Sequence, residues 1–225
     1  MVKGIHEQYF LAGSDICQTI TFNSTTISQG KFKMQAVVYE MNKVGAELAK
    51  KAAAEVTKKE PHRPRFVAGA VGPASPSVED PSSCNVNFDE LVEAYKQQLS
   101  GLVDGGVDLL MIETCAAGLV AVEQYFQETK QERLPLMLSA TVDCSSGRTL
   151  SGESIAEFYD RARQAKPFSI GIKFAVGAEC ADHIKDVNTG CGHMCFNAGG
   201  YEERPALFYT NISDFPLDGI LNLMT

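Results

Sequence analysis

The sequence has no tryptophan, no long apolar run and no excess of positive charge. Its net charge of −8 argues against a nucleic-acid partner, because binding to phosphates requires a basic surface. No apolar stretch approaches the roughly 20 residues of a membrane span, and residues 1–6 do not resemble a signal peptide. We therefore expect a cytosolic protein without a membrane partner.

A disulfide framework is also not indicated. The seven cysteines are an odd number, scattered through a chain of 225 residues, and this usage is typical of reduced intracellular thiols. A chain of this length can bury a substantial core, and no composition shift marks a domain boundary. We predict a single domain over residues 1–225, interrupted only by a Pro/Ser-rich loop over 74–87.

The hydrophobic pattern alternates between strand and helix periodicity. Strands are predicted at residues 16–22, 66–71, 107–113, 134–142, 168–175, 194–197 and 220–224. Helices are predicted at residues 5–11, 31–57, 88–103, 119–129, 154–164, 181–187 and 204–214. This alternation implies parallel βαβ units with right-handed connections. It predicts an α/β (β/α)8 TIM-type barrel with one strand unaccounted for. An open doubly wound sheet is the alternative, but no Gly-x-Gly-x-x-Gly follows the first strand.

Two of the predicted helices carry clear apolar faces. For the helix over 31–57 the face comprises Val37, Met41, Val44, Leu48, Ala52 and Val56. For the helix over 88–103 it comprises Phe88, Leu91, Val92, Tyr95, Leu99, Leu102 and Val103. Asn87 and Glu90 have the spacing of a capping box, as do Ser154 and Glu157.

Several short motifs, in order along the chain, resemble the homocysteine S-methyltransferase family, and in particular the homocysteine-binding module at the N-terminus of cobalamin-dependent methionine synthases. They are Ala-Gly-Ser-Asp-Ile at 12–16, Thr-Phe-Asn-Ser-Thr-Thr-Ile at 21–27, Phe-Val-Ala-Gly-Ala-Val-Gly-Pro at 66–73, the helix start at 87–95, Gly-Gly-Val-Asp at 105–108 with Ile-Glu-Thr at 112–114, Ser-Gly-Arg-Thr-Leu-Ser-Gly at 146–152, and Asn-Ala-Gly at 197–199. Each motif is modest alone, and their order and spacing carry the resemblance.

The resemblance implies a barrel enzyme that methylates homocysteine to methionine. In such enzymes a zinc ion held by three cysteine thiolates binds the substrate sulfur and keeps it deprotonated. The methyl donor is methylcobalamin or a small methyl compound. By resemblance, Glu113 accepts hydrogen bonds from the substrate ammonium, and Thr114, Ser139 and Asn197 complete the substrate-binding set. The position of Glu113 at the end of a predicted barrel strand agrees with this role; the alternative is a carboxylate paired with a neighbouring base.

The sequence differs from the family pattern at the positions of the zinc ligands. The family's first zinc cysteine ends a Gly-x-Asn-Cys run, which here reads Gly-Ile-Lys-Phe at 171–174, and a phenylalanine cannot ligate zinc. The family's Gly-Gly-Cys-Cys run and its first strand are missing from this sequence, so we expect a barrel truncated at both ends. Gln18 stands where the family usually has Glu, and Ile20 where it usually has Asn. We therefore predict that the zinc is absent and that methyl transfer is impaired.

Other interpretations of single residues remain open. Cys191, His193 and Cys195 could form a replacement metal site, or they could be a reduced cysteine pair beside a loop histidine. Lys173 could act as a Schiff-base nucleophile, or it could fill a vacated pocket. The loop over 146–152 could close the site, or its glycines could serve backbone geometry alone. Cys17, Cys115 and Cys144 are expected to be buried small hydrophobes.

The functional alternatives are three. The chain is a degenerate member with impaired activity, a non-catalytic module that binds an amino acid or a partner, or a partial gene product. An open barrel edge would leave unpaired backbone groups, which favours pairing with another chain or a second copy.

Overall fold

The computed structural model describes residues 1–74, 86–113, 116–143, 146–149, 152–174 and 194–198. The chain divides into two compact units, residues 1–135 and 136–225, and each is described by itself. Within the described parts of the chain, no helix is long and apolar enough to cross a membrane. The prediction of a single domain stays a prediction.

The first unit alternates helices with three parallel strands. In chain order its elements are α1 (Val2–Leu11), β1 (Ile16–Gln18), α2 (Thr26–Gly30), α3 (Val38–Lys59), β2 (Phe66–Val71), α4 (Phe88–Asp104), β3 (Leu109–Glu113) and α5 (Ala116–Thr129). A turn of 3-10 helix over Gln35–Val37 precedes α3. The strands lie in the order β1-β2-β3, and each neighbouring pair is parallel.

The second unit continues the same alternation. Its elements are β4 (Leu136–Asp143), β5 (Arg148–Thr149), α6 (Ile155–Ala162), a 3-10 turn over Arg163–Ala165, β6 (Ser169–Phe174) and β7 (Met194–Ala198). β4 pairs with β6 and β6 with β7 in parallel, whereas the two-residue β5 returns antiparallel to β4. The predicted strand over 220–224 and the predicted helices over 181–187 and 204–214 lie outside the described residues.

Helix α4 follows the sequence prediction closely. Asn87 accepts a hydrogen bond from the backbone N–H of Glu90, whose carboxylate in turn accepts from the N–H of Asn87, so the capping box forms. The buried face includes Val92, Tyr95, Leu99 and Leu102. Leu91 and Val103 are half-buried, and Phe88, the first residue of the helix, is 51% exposed.

Helix α3 begins later than predicted, and its buried face matches the predicted one only at Ala52 and Val56. Lys33 has a positive φ of 58°, which a continuous helix does not tolerate, and the chain re-enters helix only at Val38. Val37 and Val44, predicted to be core, are 45% and 38% exposed. The buried stripe is instead made mostly of small residues, namely Val38, Asn42, Gly45, Ala46, Ala49, Ala52, Ala53 and Val56.

Small residues let α3 and α4 approach closely. A Cβ atom built on Gly101 of α4 would lie 2.5 Å from the carbonyl oxygen of Tyr39 and 2.8 Å from the Cβ of Asn42. At Gly105, which ends α4, a Cβ would lie 2.5 Å from the Cβ of Ala46. Neither position has room for a side chain, so these glycines fix the contact between the two helices.

The N-terminal ends of β1 and β2 are held by a cluster of charges. The Arg65 side chain is only 1% exposed, pairs with Glu60 and donates to the carbonyl of Ser14 at 2.7 Å. Arg63 pairs with Asp15 at 2.6 Å. In a parallel α/β sheet this end supports stability, while chemistry is found at the opposite, carboxyl end of the strands.

Candidate functional site

The pleat of β2 distinguishes the two faces of the first unit's sheet. A Cβ on Gly69 would contact Leu102 of α4 and Leu110 of β3, each at 3.2 Å, so Gly69 faces the helix layer. Side chains alternate along a strand, and paired residues share a face. Ala68 and Ala70, with their partners Leu109 and Met111, therefore lie on the face turned away from α4.

Glu113 lies at the carboxyl end of this second face. It is the last residue of β3, two positions beyond Met111, and it is 3% exposed. The register that sets Val71 opposite Ile112 places Gly72 beside Glu113. The sequence therefore predicted correctly that Glu113 ends a strand at the edge where parallel α/β proteins bind ligands.

The Phe22 ring packs against Gly72. A Cβ on Gly72 would lie 2.6 Å from three carbon atoms of this ring, so no side chain fits there without displacing it. The backbone N–H of Gly72 also donates to the carbonyl of Phe22 at 3.0 Å. An aromatic ring and a buried carboxylate thus flank the same glycine, an arrangement suited to a ligand with a cationic and an apolar part.

The chain after β1, which we call the rim segment (residues 19–25), does not continue as the predicted strand. Strand β1 ends at Gln18 because two threonine hydroxyls replace the main-chain ladder. Thr19 Oγ1 accepts from the N–H of Ala70 at 3.0 Å, and Thr21 Oγ1 donates to the carbonyl of Ala70 at 2.8 Å. The detour leaves Ile20 60% exposed.

Buried side chains of α3 and α4 hold the rim segment from outside. Gln98 Nε2 donates to the carbonyl of Thr21 at 2.6 Å, and Asn42 Nδ2 donates to that of Ser24 at 2.8 Å. Sequence reasoning missed both residues. The sequence could have indicated them, because each is a polar residue among the buried positions of an amphipathic helix.

A tyrosine of α4 holds the chain after β2. The Tyr95 hydroxyl donates to the carbonyl of Gly72 at 3.0 Å and accepts from the N–H of Ala74 at 2.6 Å. Tyr95 itself is 1% exposed. Helix α4 therefore fixes both backbone segments that meet at the contact between Phe22 and Gly72.

Two further residues of β1 were singled out from the sequence. The Oε1 atom of Gln18 is buried and has no hydrogen-bond partner among the described residues. Cys17 is 8% exposed, as expected of a small hydrophobe, and burial raises the pKa of its thiol to about 11. Cys17 is therefore protonated and unreactive near neutral pH.

In the second unit the strand register places several of the predicted residues directly opposite one another on neighbouring strands. Ser139 of β4 pairs with Gly171 of β6, and Gly171 pairs with Cys195 of β7. One step further, Lys173 lies between its neighbours Thr141 and Asn197. The hydroxyl of Ser139 is buried and has no hydrogen-bond partner in the described part of the chain. Ser139 and Asn197 belong to this unit, whereas Glu113 belongs to the first.

The loop after β4 is held by its own residues. Asp143 accepts from the backbone N–H of Ser146 at 3.1 Å, and Arg148 donates to the carbonyl of Gly152 at 2.8 Å. Gly147 and Gly152 have positive φ values of 64° and 85°. These glycines therefore serve the backbone geometry of the loop, as the structural interpretation expected.

Of the three candidate metal ligands, Cys195 belongs to the described residues. Cys191 and His193, like Thr114, lie outside the described residues. Among the residues that are described, no group of three His, Cys, Asp or Glu side chains could hold a metal ion. Phe174, which by resemblance replaces a zinc cysteine, is the last residue of β6 and has no donor atom. The described residues therefore do not fit the family's zinc, and its absence stays a prediction.

A groove of about 780 Å³ lies between α2 and the start of α4. Its lining includes Thr26, Ile27, Glu90, Glu93 and Lys96, but not Glu113. Glu90 is engaged in the capping box, and Glu93 pairs with Lys96 at 2.9 Å. The groove thus carries three carboxylates, of Asp89, Glu90 and Glu93, and one ammonium, of Lys96, and it is separate from the carboxyl edge at Glu113.

Two solved structures with the same fold are forms of one homocysteine methyltransferase. The metallated form of MmuM from Escherichia coli is 18% identical, with a TM-score of 0.69 over 87% of this chain and 70% of that chain. The oxidized form is 21% identical, with a TM-score of 0.64 over 79% of this chain and 63% of that chain. This chain thus spans just under two thirds of the length of the oxidized form. The likeness confirms the fold class, a partial (β/α)8 barrel.

The sequence itself is matched by a family description. The model of the homocysteine S-methyltransferase family matches residues 1–217, which is nearly the whole chain. The match includes both units and the edge formed by Phe22, Gly72 and Glu113. The chain belongs to the homocysteine S-methyltransferase family.

Proposed function

We propose that this protein binds homocysteine through Glu113 and transfers methyl groups to it poorly, if at all, because Phe174 stands, by resemblance, where the family has a zinc cysteine. The observation that carries the proposal is the position of Glu113. It is a 3%-exposed carboxylate at the carboxyl end of β3, beside the Gly72–Phe22 contact, in a chain of this family.

Glu113 has the chemistry to bind the substrate ammonium. A buried carboxylate accepts hydrogen bonds from an ammonium group with roughly twice the strength of a neutral pair. The Phe22 ring beside it offers an apolar surface to the methylene groups of homocysteine. By family resemblance Thr114, Ser139 and Asn197 would contribute further polar contacts.

Loss of the metal would impair the transfer step itself. The thiolate sulfur must attack the donor's methyl carbon, so that an S–C bond forms, the donor–methyl bond breaks and the thiol proton goes to solvent. A thiol with a pKa of about 8.5 is only a few per cent thiolate at pH 7. Bound zinc would supply a deprotonated sulfur, and Phe174 cannot take part in holding it.

A calorimetric titration tests the binding proposal. Wild-type protein should bind homocysteine, and Glu113→Gln should bind it at least about tenfold more weakly, because one charge-assisted hydrogen bond is lost. Glu47→Gln, at an exposed position of α3, is the matched control and should bind like wild type. The analogue 4-mercaptobutanoate, which lacks the amino group, should not distinguish wild type from Glu113→Gln. Equal homocysteine affinity in both proteins contradicts the role of Glu113.

Zinc content, measured by elemental analysis with and without homocysteine, separates the two halves of the proposal. Binding without zinc supports an amino-acid-binding member with impaired methyl transfer. About one zinc per chain, rising with homocysteine, contradicts the loss of the metal and points to Cys191, His193 and Cys195. The donor, methylcobalamin or a small methyl compound, the cytosolic location and a partner chain or second copy remain part of the proposal.

A further inference from the structure

We propose that Gln98, assisted by Asn42, is a positioning residue that fixes the rim segment and thereby holds the Phe22 ring beside Glu113. Neither side chain needs to touch a ligand for this role. The functional half of the inference rests on the proposed homocysteine site, and its structural half does not.

The two amides bracket Phe22. Gln98 binds the carbonyl of Thr21, directly before the ring, and Asn42 binds that of Ser24, two residues after it. Both amide side chains are 0% exposed. With strand β1 ending at Gln18, these contacts and the threonine hydroxyls add to the two main-chain bonds between the segment and the β2 chain, from Thr19 N–H to the Ala68 carbonyl and from Gly72 N–H to the Phe22 carbonyl.

Helix α4 controls both sides of the contact between Phe22 and Gly72. Gln98 holds the rim segment on one side, and Tyr95, three residues earlier on the same helix, holds the carbonyl of Gly72 on the other. The two side chains lie on one helical face. A single helix therefore holds both chain segments that are joined by the main-chain bond between Gly72 and Phe22.

Stability alone does not explain the amides. Asn42 Oδ1 and Gln98 Oε1 are buried without a hydrogen-bond partner among the described residues. An unsatisfied buried acceptor costs about 1–3 kcal/mol, and an apolar residue of similar shape avoids this cost. What an apolar residue cannot provide is a directed donor to the rim carbonyl groups. The amides thus define a conformation at the expense of stability.

Amide hydrogen exchange tests the structural half in the full-length protein. Gln98→Met preserves the shape of the side chain and removes the donor, so exchange of the rim segment should accelerate at least about tenfold, as expected for the loss of one buried hydrogen bond. Gln97→Met, at the exposed neighbouring position, is the matched control and should leave the segment unchanged. Unchanged rim exchange in a folded Gln98→Met variant overturns the inference.

A conservative variant provides a rescue. A carboxyl group buried at this position is held neutral, so the O–H of Gln98→Glu can donate to the Thr21 carbonyl. Rim protection in Gln98→Glu should return to within about threefold of wild type at pH 6. If only the volume of the side chain mattered, Met and Glu would behave alike, and that result also overturns the inference.

A wild-type measurement covers the case in which Gln98→Met does not fold. The side-chain NH2 protons of Gln98 should exchange with solvent at least tenfold more slowly than those of exposed Gln97, as followed by NMR, because one buried hydrogen bond protects them. Equal exchange rates overturn the inference.

Homocysteine binding separates this inference from the proposed function. If wild type binds homocysteine, Gln98→Met should bind it about tenfold more weakly. The affinity of Gln98→Glu for homocysteine should return towards that of wild type. Undiminished binding by Gln98→Met overturns the functional half. If wild type does not bind homocysteine, the proposed function fails, and the exchange experiments alone decide whether Gln98 positions the rim.

Discussion

The loops that follow β1 and β4 both leave the carboxyl end of a parallel strand, but they are held in different ways. The rim segment is held by residues far away in the sequence, such as Asn42, 18 residues from Ser24, and Gln98, 77 residues from Thr21. The loop after β4 is held mainly by bonds between residues two to four positions apart.

This difference shows what each loop requires in order to form. The loop after β4 needs only its own sequence, with glycines at the two positions of positive φ. The rim segment needs α3 and α4 to be packed first. Damage to the helix pair should therefore disturb the rim segment and leave the other loop intact.

The largest expected effect comes from adding a methyl group where α3 and α4 are in close contact. In Gly101→Ala the new methyl group would lie 2.5 Å from the Tyr39 carbonyl, so the helices must separate, and the free energy of unfolding should fall by about 3 kcal/mol. Urea unfolding measures the loss, and amide exchange should rise in residues 19–25 but not in 146–149. The matched control is Gly4→Ala in α1, where a Cβ meets no atom within 4 Å. It should stabilise by about 0.5–1 kcal/mol. Equal exchange in both loops would contradict the comparison.

A smaller effect is expected in the second unit. Ser154 caps α6 in a capping box with Glu157, and Ser154→Ala should reduce stability by about 1 kcal/mol. Because this cap neighbours the loop after β4, exchange should increase in residues 146–157 and stay unchanged in the rim segment. Asn87→Ala removes the equivalent cap of α4 and should show the reverse pattern. If both variants loosen the same loop, the two loops are not independent.

The smallest expected effect depends on pH and concerns α1. His6 is 3% exposed, and burial lowers its pKa from the ordinary value of 6.5. The folded protein then resists protonation while the unfolded chain accepts a proton, so stability is full above pH 6.5 and declines below it. Between pH 7.5 and 5.5, wild type should lose up to about 1 kcal/mol more than His6→Leu in urea unfolding. A parallel loss in both proteins would exclude His6 as the cause.

The sequence predicted those features that depend on local pattern. The apolar periodicity and the capping box of α4 depend only on residues close together in the sequence, and the structure has both the helix and its cap. The position of Glu113 at a strand end followed from an apolar run that stops in a carboxylate. The short β5 was not predicted, because two residues carry no periodicity.

Features that depend on tertiary contacts were not predictable in the same way. The alternation over 16–22 indicates a strand, but the bonds of Thr19 and Thr21 to Ala70 end it after three residues. The buried face of α3 was misjudged because close packing against Gly101 favours alanine over the larger Val37 and Val44. Of the predicted site residues, Glu113 lies at a strand end as expected, and the binding roles of Glu113, Thr114, Ser139 and Asn197 stay predictions.

The two threonine hydroxyls of the rim segment have one further consequence. Each hydroxyl has a single proton, and that of Thr21 is directed to the Ala70 carbonyl. In the 2.6 Å contact between the hydroxyls, Thr19 must therefore be the donor. The bonds form a one-way circuit that starts at the N–H of Ala70, passes through Thr19 and Thr21, and returns to the carbonyl of the same residue. No hydroxyl in it can rotate alone, so the circuit has a fixed polarity, and replacing either threonine by valine removes two of its three bonds.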